Sequence, residues 1–588
     1  MPSEITNPAE QAALRALDQV YAAIDAGRSF RLEAGAGAGK TYSLVKALKH
    51  LIDKQGPTLL KQHRQVACIT YTNVATDEIR SRIDSHPAVF VSTIHSFCWS
   101  LIKDFQPQLR NRMAQIEKWS EKLTAAGGVG NRKVTYDEFG HRSVDEHTLS
   151  LHHDDVLDLT VYLMSFEKFG RLVSQRYPYL FIDEYQDTNG EVAEALRTHF
   201  FDSGVGPLVG LFGDHWQKIY GEGCGKLEHP TLEPINKNAN FRSVPAIVTV
   251  LNRMRPELPQ DVKDPSAIGT VAVYHTNTWS GVRRSGSHWA GDLPADEVDH
   301  TVSQLMNVLE TQGWDFSTPD VTKILMLTHN ALADKQGYRK LADVFRYNDS
   351  FIKKHDPHIA FFVDILEPVC TAYEKKRFGE MFALLGSRTP LISTHADKRG
   401  WATDMDSLLR IRASGTVGDV IAHLRETKRP RLPETLEARA KQLEEINPNS
   451  ESEISLSLSQ AQALRDVPYQ EVIALKRFLD GHSPFETKHG VKGAEFENVL
   501  VVFGRGWNVY NFGQFLDWSR DISQVPPNKV ESYESNRNLF YVVCSRPKRN
   551  LALLFTQKLS QPALDTLAAW FGDESIHSAF DEPVPAND

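Results

Sequence analysis

The stretch Glu33-Ala34-Gly35-Ala36-Gly37-Ala38-Gly39-Lys40-Thr41 constrains this chain more than any other. An apolar run, Phe30 to Leu32, leads into it, and a helical pattern leaves it from Lys40 to about Ile52. Strand, tight loop and helix in that order make a phosphate cradle. Small residues from Ala34 to Gly39 let backbone N–H groups turn inward, and the helix N-terminus adds partial positive charge. Lys40 can reach the β- and γ-phosphates of a nucleotide, and the Thr41 hydroxyl can hold Mg²⁺. Ala34 stands where the strict pattern has its first glycine. Alanine fits there if the backbone needs no positive φ. A glycine-rich loop can arise by chance, but chance rarely adds Lys-Thr and the strand–helix setting.

At 588 residues the chain has room for roughly three to five domains of about 100–200 residues each. No run of about 20 apolar residues occurs, and Met1 to Glu10 is polar, so neither a membrane span nor a signal peptide is expected. Cys68, Cys98, Cys224, Cys370 and Cys544 lie far apart without a C-x-x-C pair. That spacing argues for a reducing cytoplasm and against zinc or iron–sulfur ligation. The net charge of −9 gives no global attraction to nucleic acid, so any such site must be a local groove.

Residues 8–27 read as a helix with Gln11 near its start. Gln65 to Thr70 reads as a strand, and Thr72 or Asn73 as the cap of a helix ending near Ile83. A strand from Val89 to Ser92 leads into Thr93-Ile94-His95-Ser96-Phe97-Cys98. These strand ends carry hydroxyls, amides and an aromatic, at the place where open parallel sheets bind ligands. Ile116 to Leu123 reads as helix and Val134 to Leu151 as a small hairpin. His152-His153-Asp154-Asp155 could hold a metal, but the better reading makes the aspartates a cap for a helix from Val156 to about Arg176. Tyr179 to Ile182 is a buried strand ending in Asp183-Glu184-Tyr185-Gln186-Asp187-Thr188. Adjacent carboxylates at a strand end can hold Mg²⁺ through water (Asp183) and polarise an attacking water (Glu184). Pro207 to Phe212 forms another strand before Gly213-Asp214-His215-Trp216-Gln217-Lys218-Ile219-Tyr220.

In order, these motifs resemble those of the UvrD/Rep-like branch of superfamily 1 helicases. The first motif of that branch reads A-G-A-G-x-G-K-T, which accounts for Ala34. Thr70 to Arg82 is similar to T-F-T-N-x-A-A-x-E-M, Thr93 to Phe97 to T-x-H-S-F, Asp183 to Thr188 to D-E-x-Q-D, and Gly213 to Tyr220 to G-D-x-x-Q-x-I-Y. Further on, Asn240-Phe241-Arg242-Ser243 resembles N-Y-R-S, Thr487 to Phe496 resembles T-x-H-x-x-K-G-L-E-F, and Arg537 to Arg546 resembles R-R-L-x-Y-V-A-x-T-R. More loosely, the chain resembles the helicase-like subunit of Gabija-type anti-phage systems, which accompanies an OLD-type nuclease.

The resemblance implies an α/β fold of two RecA-like parallel-sheet domains (1A and 2A), each with an inserted subdomain (1B and 2B). Domain 1A would take residues 1–98 and 170–235 around an insert at 99–169. Domain 2A would take 236–340 and 470–560 around a shorter than usual insert at 341–469, with a C-terminal helix and acidic tail at 561–588. It also implies ATP and Mg²⁺ as cofactors. Lys40, Asp183, Glu184, Gln217, Arg242 and Arg546 would be catalytic, the two arginines acting as arginine fingers, with Mg²⁺ held by Thr41 and Asp183. Gln11 would meet the adenine, Glu495 the ribose, and Ala34, Gly35, Ala36, Gly37, Ala38, Gly39, Lys40, Thr41 and Tyr42 the rest of the nucleotide. Single-stranded or tailed DNA would lie on Tyr71, Thr72, Asn73, Thr93, His95, Ser96, Tyr220, Thr487 and His489.

One departure concerns the loop after Tyr220. The family has a base-stacking Trp there, whereas this chain has Gly221-Glu222-Gly223, and Glu222 would repel phosphate. ATPase chemistry looks complete while the translocation machinery looks altered. Two readings follow: a DNA-dependent ATPase and 3′-to-5′ helicase or translocase acting in repair or anti-phage defence, or an ATP-gated DNA-sensing subunit that unwinds little and controls a partner nuclease. An OLD-type nuclease in a hetero-oligomer is the partner implied, with no membrane. About 40 residues follow Arg546, fewer than the roughly 50 of a small domain, so a nuclease domain of its own is not expected there.

Overall fold

A computed structural model describes residues 7–580 apart from 137–141, 220, 222, 287–288, 327–332, 334–335, 346, 348, 353, 387–391, 446–454, 481–484, 487–493 and 506–509. The chain divides into two compact units. The first holds Met1–Ala272, Tyr510–Leu551 and Ser560–Ile576; the second holds Val273–Val509, Ala552–Leu559 and His577–Asp588.

The first unit is built on a six-stranded sheet of β1 (Phe30–Ala34), β2 (Val66–Thr70), β3 (Val89–Thr93), β4 (Tyr179–Asp183), β5 (Leu208–Gly213) and β6 (Glu233–Lys237), in the order β3-β2-β4-β5-β1-β6. Every neighbouring pair is parallel. β1 and β2 are buried at all five positions. They read as apolar runs rather than alternating ones because both faces of a parallel sheet are covered. Register sets the chemistry. Glu33 pairs with Gly213, Asp183 with Phe212, and Thr70 with Thr93, so the polar strand ends come out on one edge.

Asn7 caps the first helix, Pro8–Asp25, by accepting from the Ala9 and Glu10 amides. The helix after the phosphate loop runs from Lys40 to Lys61, past the expected end at Ile52 and through Pro57. Leu59 in its last turn is buried in the core, which offsets the cost of an interior proline.

Between β3 and β4 the chain forms a satellite of helices around a three-stranded sheet. The expected hairpin over 134–151 is only part of it: Ser143–Val144 pairs antiparallel with Thr148–Ser150, whose other edge takes Lys133–Thr135 in parallel. The helix expected from Val156 to Arg176 starts at His153 and is split in two, His153–Met164 and Glu167–Arg176, by an extended Phe166. Its cap is His152 rather than the aspartates alone. His152 Nδ1 accepts from the Asp154 amide, and the Asp155 carboxylate accepts from the His152 amide at 2.9 Å while pairing with Arg142 at 2.8 Å.

Another six-stranded sheet comprises β7 (Thr270–His275), β8 (Thr322–Met326), β9 (Phe485–Glu486), β10 (Phe496–Phe503), β11 (Pro547–Phe555) and β12 (Ile576–Ser578), in the order β9-β8-β10-β11-β7-β12, with β8, β9 and β10 wholly in the second unit. β8 runs parallel to both its neighbours. Between Arg339 and Leu479 the described elements are helices. A pair of half-buried Arg412 and buried Glu367, 2.7 Å apart, ties two of them together. Among the described residues no helix is long and apolar enough to cross a membrane. The fold is thus α/β on parallel sheets, the RecA-like class expected from the motifs.

The satellite's core rests on Trp119, fully buried in a cluster with Leu109, Leu123, Val134 and Leu149, its indole N–H without a partner. Trp119→Ala should cost about 3–5 kcal/mol, and Trp119→Phe much less, since no hydrogen bond is lost. Hydrogen exchange over His153–Met164 measures this. Equal protection in both variants would contradict the packing described.

Candidate active site

β1 ends at Ala34, whose backbone is still that of a strand, so no glycine is needed there. The loop then turns through Gly37 and Gly39, both at φ 73°, a conformation that favours glycine. Gly37 is required for space as well: an added Cβ would lie 2.8 Å from both Arg242 Cβ and Asn240 Oδ1. Lys40 opens the following helix, Thr41 is half-buried behind it, and Tyr42 is exposed.

Lys40 Nζ lies 3.5 Å from Glu184 Oε2. Glu184 sits in the left-handed region at φ 47°, an uncommon place for a residue with a side chain and one that active sites tolerate. Gln186 holds it there, donating to Glu184 Oε2 at 2.7 Å and accepting from the Asp214 amide at 3.1 Å. Asp183 is buried; burial first, and then the adjacent Glu184, push its carboxyl up to about 7 against the pull of Lys40. A hydroxyl and a carboxylate are the hard oxygen donors that Mg²⁺ prefers, and a carboxyl raised by burial beside a second acid favours an incoming cation. Thr41 and Asp183 therefore fit the metal that the motifs imply.

Behind this lies a network the sequence did not announce. Asp214 is fully buried; burial raises its carboxyl, but Arg255 and then Lys40 outweigh that and hold it below the ordinary range. Arg255 NH1 meets Asp214 Oδ1 at 2.5 Å, and Gln217 Nε2 donates to Asp214 Oδ2 at 2.7 Å. Glu33, one residue before the loop, accepts from the Tyr185 hydroxyl and lies 3.2 Å from His215 Nδ1, 3.3 Å from Arg31 and 3.6 Å from Arg255. Glu33, Asp214 and His215 come within 4.8 Å of one another. The two arginines already balance both carboxylates, so the cluster reads as an ion-pair network rather than a metal centre.

The segment Asn240–Ser243 packs directly on the loop. Asn240 Nδ2 and Gln260 Nε2 both donate to the Ala36 carbonyl at 3.1 Å, and the Phe241 amide donates to the Gly37 carbonyl at 2.9 Å. Arg242 NH1 donates to the Ser545 carbonyl at 3.0 Å, which brings it beside Arg546. Arg546 is buried, its Nε on the Val542 carbonyl, and burial followed by the charge of Arg242 lowers it to about 9. Lys237, also buried, reaches the Gly39 carbonyl and Ser43 Oγ at 3.0 and 2.8 Å, and burial lowers it to about 8. Cations crowd this loop, where an anion would relieve their repulsion.

The first unit thus brings together Lys40, Thr41, Asp183, Glu184, Gln217, Arg242 and Arg546. Gln11 is exposed in the first turn of Pro8–Asp25, whose Ala9 and Ala12 pack on Ala239. Glu495 belongs to the second unit, just before β10. Of the strand-end residues, Thr72 and Thr93 cap helices, accepting from Ala75 and Ser96 amides at 3.1 and 3.4 Å. Asn73 and Ser96 are exposed beside them. Tyr71 is half-buried with its hydroxyl 2.5 Å from Thr188 Oγ1. His95 lies against His153 with the rings tilted and their centroids 5.1 Å apart, and burial, then that neighbour, lower it to about 4, so it offers a hydrogen bond rather than a charge at neutral pH. Tyr220, Glu222, Thr487 and His489 lie outside the described residues. Glu33, Lys237 and Arg255 escaped the sequence reading, as their partners are distant in sequence; a charge inside an apolar strand, as at Glu33, was the one available signal.

Arg255→Met should leave Asp214 buried without its counter-charge and cost about 3–5 kcal/mol. Adding Asp214→Leu should recover part of that loss, as a double-mutant cycle in urea would show. Additive losses would contradict the pairing.

The family model for the UvrD/REP helicase N-terminal domain matches residues 18–147 and 133–222. The chain is 22% identical to the Gabija protein GajB of Bacillus cereus (strain HuB5-5), over 92% of this chain and 95% of that protein. It is 24% identical to the ATP-dependent DNA helicase UvrD1 of Mycobacterium tuberculosis over 40% of this chain and 38% of that protein. With the ATP-dependent DNA helicase Rep of Escherichia coli (strain K12) the identity is 25%, over 37% of this chain and 40% of Rep. Matched motifs, parallel sheet and phosphate loop agree: residues 18–222 of this chain are similar to the UvrD/REP helicase N-terminal domain.

Proposed function

We propose that this chain is a Mg²⁺-dependent ATPase that couples hydrolysis to movement along single-stranded or tailed DNA, 3′ to 5′, in the manner of a helicase or translocase. The observation that carries this reading is the gathering of Lys40, Thr41, Asp183, Glu184, Gln217, Arg242 and Arg546 around one phosphate loop. Phosphoryl transfer asks for little beyond positioning and charge neutralisation. Arriving phosphates would draw Lys40 away from Glu184, leaving that carboxylate to orient and deprotonate the attacking water. Gln186 keeps Glu184 aimed. Gln217, anchored on Asp214, would report the γ-phosphate, and the paired Arg242 and Arg546 would meet the charge that builds in the transition state. Mg²⁺, when bound, supplies further neutralisation of the phosphates. Gln11 would contact the adenine and Glu495 the ribose, while Tyr71, Thr72, Asn73, Thr93, His95 and Ser96 would face the strand. The division into 1A, 1B, 2A and 2B segments belongs to this reading, as does a cytoplasmic site of action.

A second reading has a specific support. The similarity to the Gabija protein GajB runs through nearly the whole chain, whereas the similarity to UvrD1 and Rep covers about two fifths of it. In this reading the ATPase senses DNA in antiviral defence and governs a partner nuclease of the OLD type, with little unwinding of its own. Strand displacement by the purified chain alone favours the first reading, and displacement or cleavage only with a partner favours the second.

Lys40→Ala should abolish ATP turnover in a folded protein; turnover within a few-fold of wild type would refute the phosphate-loop assignment. Arg546→Ala should bind ATP almost normally and hydrolyse it more slowly by roughly 10³–10⁵. A loss confined to nucleotide affinity would refute the finger role.

A further inference from the structure

The first unit encloses a cavity of about 820 Å³ beside, and separate from, the phosphate loop. That is the size of a site for a small molecule or a nucleotide. Its walls come from the loop after β5, the end of helix Pro245–Met254, and helices Phe512–Ser519, Val530–Cys544 and Gln561–Phe571.

Two chemistries meet in it. The first is flat aromatic surface: Trp216, Tyr533 and Trp570 line the cavity, with Trp570 backed by Phe515 and Phe540 at ring separations of 6.1 and 5.8 Å. The second is positive charge: Lys218, Lys226, Arg253 and Arg537 line it against the carboxylates of Glu257 and Glu534. Arg537 joins the two. Its guanidinium lies over the Trp216 ring at 4.4 Å and is steadied by Asn538 Oδ1 at 3.1 and 3.2 Å, while Glu534 stands off at 3.8 Å. A stacked arginine held flat presents a planar cationic face, the surface on which nucleobases stack. An apolar ligand would gain nothing from the lysines, and an acidic peptide nothing from the stacked planes.

We propose that this cavity takes one nucleotide, its base against the Arg537–Trp216 stack and its phosphate toward Lys218 and Lys226. The occupant assigned is a nucleotide of a single strand, so the proposal rests on the nucleic-acid reading above. The cavity is wired to the phosphate site. Trp216 packs under Arg255 at 5.0 Å and its amide donates to Asp214 Oδ1 at 3.1 Å, and Asp214 also holds Gln217. A base that shifts Trp216 therefore moves the anchor of the γ-phosphate contact, a direct route by which a bound strand would alter hydrolysis.

The test uses the full chain and oligo(dT) carrying a single photoreactive 5-iodouracil. Cross-links should map to 215–226 or 533–541, and Lys218→Glu or Arg537→Gln should each weaken oligo(dT) binding by roughly five- to hundredfold. Cross-links confined to 71–96, with both variants binding as wild type, would overturn the proposal. Erasure of the cavity cross-link by dTMP at micromolar concentration would show that a free nucleotide, not a strand, is the ligand, and would overturn the strand assignment. Equilibrium binding of ATP by the wild type without DNA reports separately on the phosphate site. Its absence would refute the ATPase reading whatever the cross-links show, and its presence without cavity cross-links would refute this proposal alone.

Discussion

Parallel pairing of the first sheet is the constraint on which the site depends. Because all five strand pairs run the same way, Ala34, Thr70, Thr93, Asp183 and Gly213 finish on one edge. Each is followed by a tight turn or a helix start, where backbone amides and short polar side chains are free of the ladder. A slip of one residue in β4 against β5 would turn Asp183 to the other face of the sheet and remove it from Lys40. The chemistry is thus a property of register before it is a property of individual side chains.

Burying so much charge on that edge requires compensation. Asp214 and Glu33 could not remain ionised under the loop without Arg255 and Arg31, and Arg255 could not be buried without them. The same mutual dependence links sites. Gln217 takes its orientation from Asp214, Asp214 from Arg255, and Arg255 lies against Trp216 at the wall of the second cavity. By contrast Arg242 and Arg546 repel each other, and Arg546 is lowered by burial and by its neighbour.

Much of this was legible because local patterns carried it. The phosphate loop, the apolar β4 ending in Asp183-Glu184 and the order of motifs mark the α/β class and the helicase resemblance directly. Errors arose where tertiary packing overrode a local signal. Pro57 did not end its helix because Leu59 is anchored in the core, and the run from 134 to 151 became three strands because Lys133–Thr135 found a parallel edge. Arg255, Lys237 and Gln260 left no trace in the sequence: their partners lie up to 224 positions away, at Ala36 for Gln260. Periodicity and capping rules see only a turn or two of chain.

The central claim is that the first unit holds a working triphosphate site in which Glu184 handles the attacking water. ATP turnover by Glu184→Gln, measured beside equilibrium nucleotide binding, tests it most directly. The carboxamide keeps the shape and the hydrogen bond to Gln186 but cannot take a proton, so binding should persist while turnover falls by roughly 10²–10⁴. Turnover near that of the wild type, or nucleotide binding lost together with activity, would contradict the account.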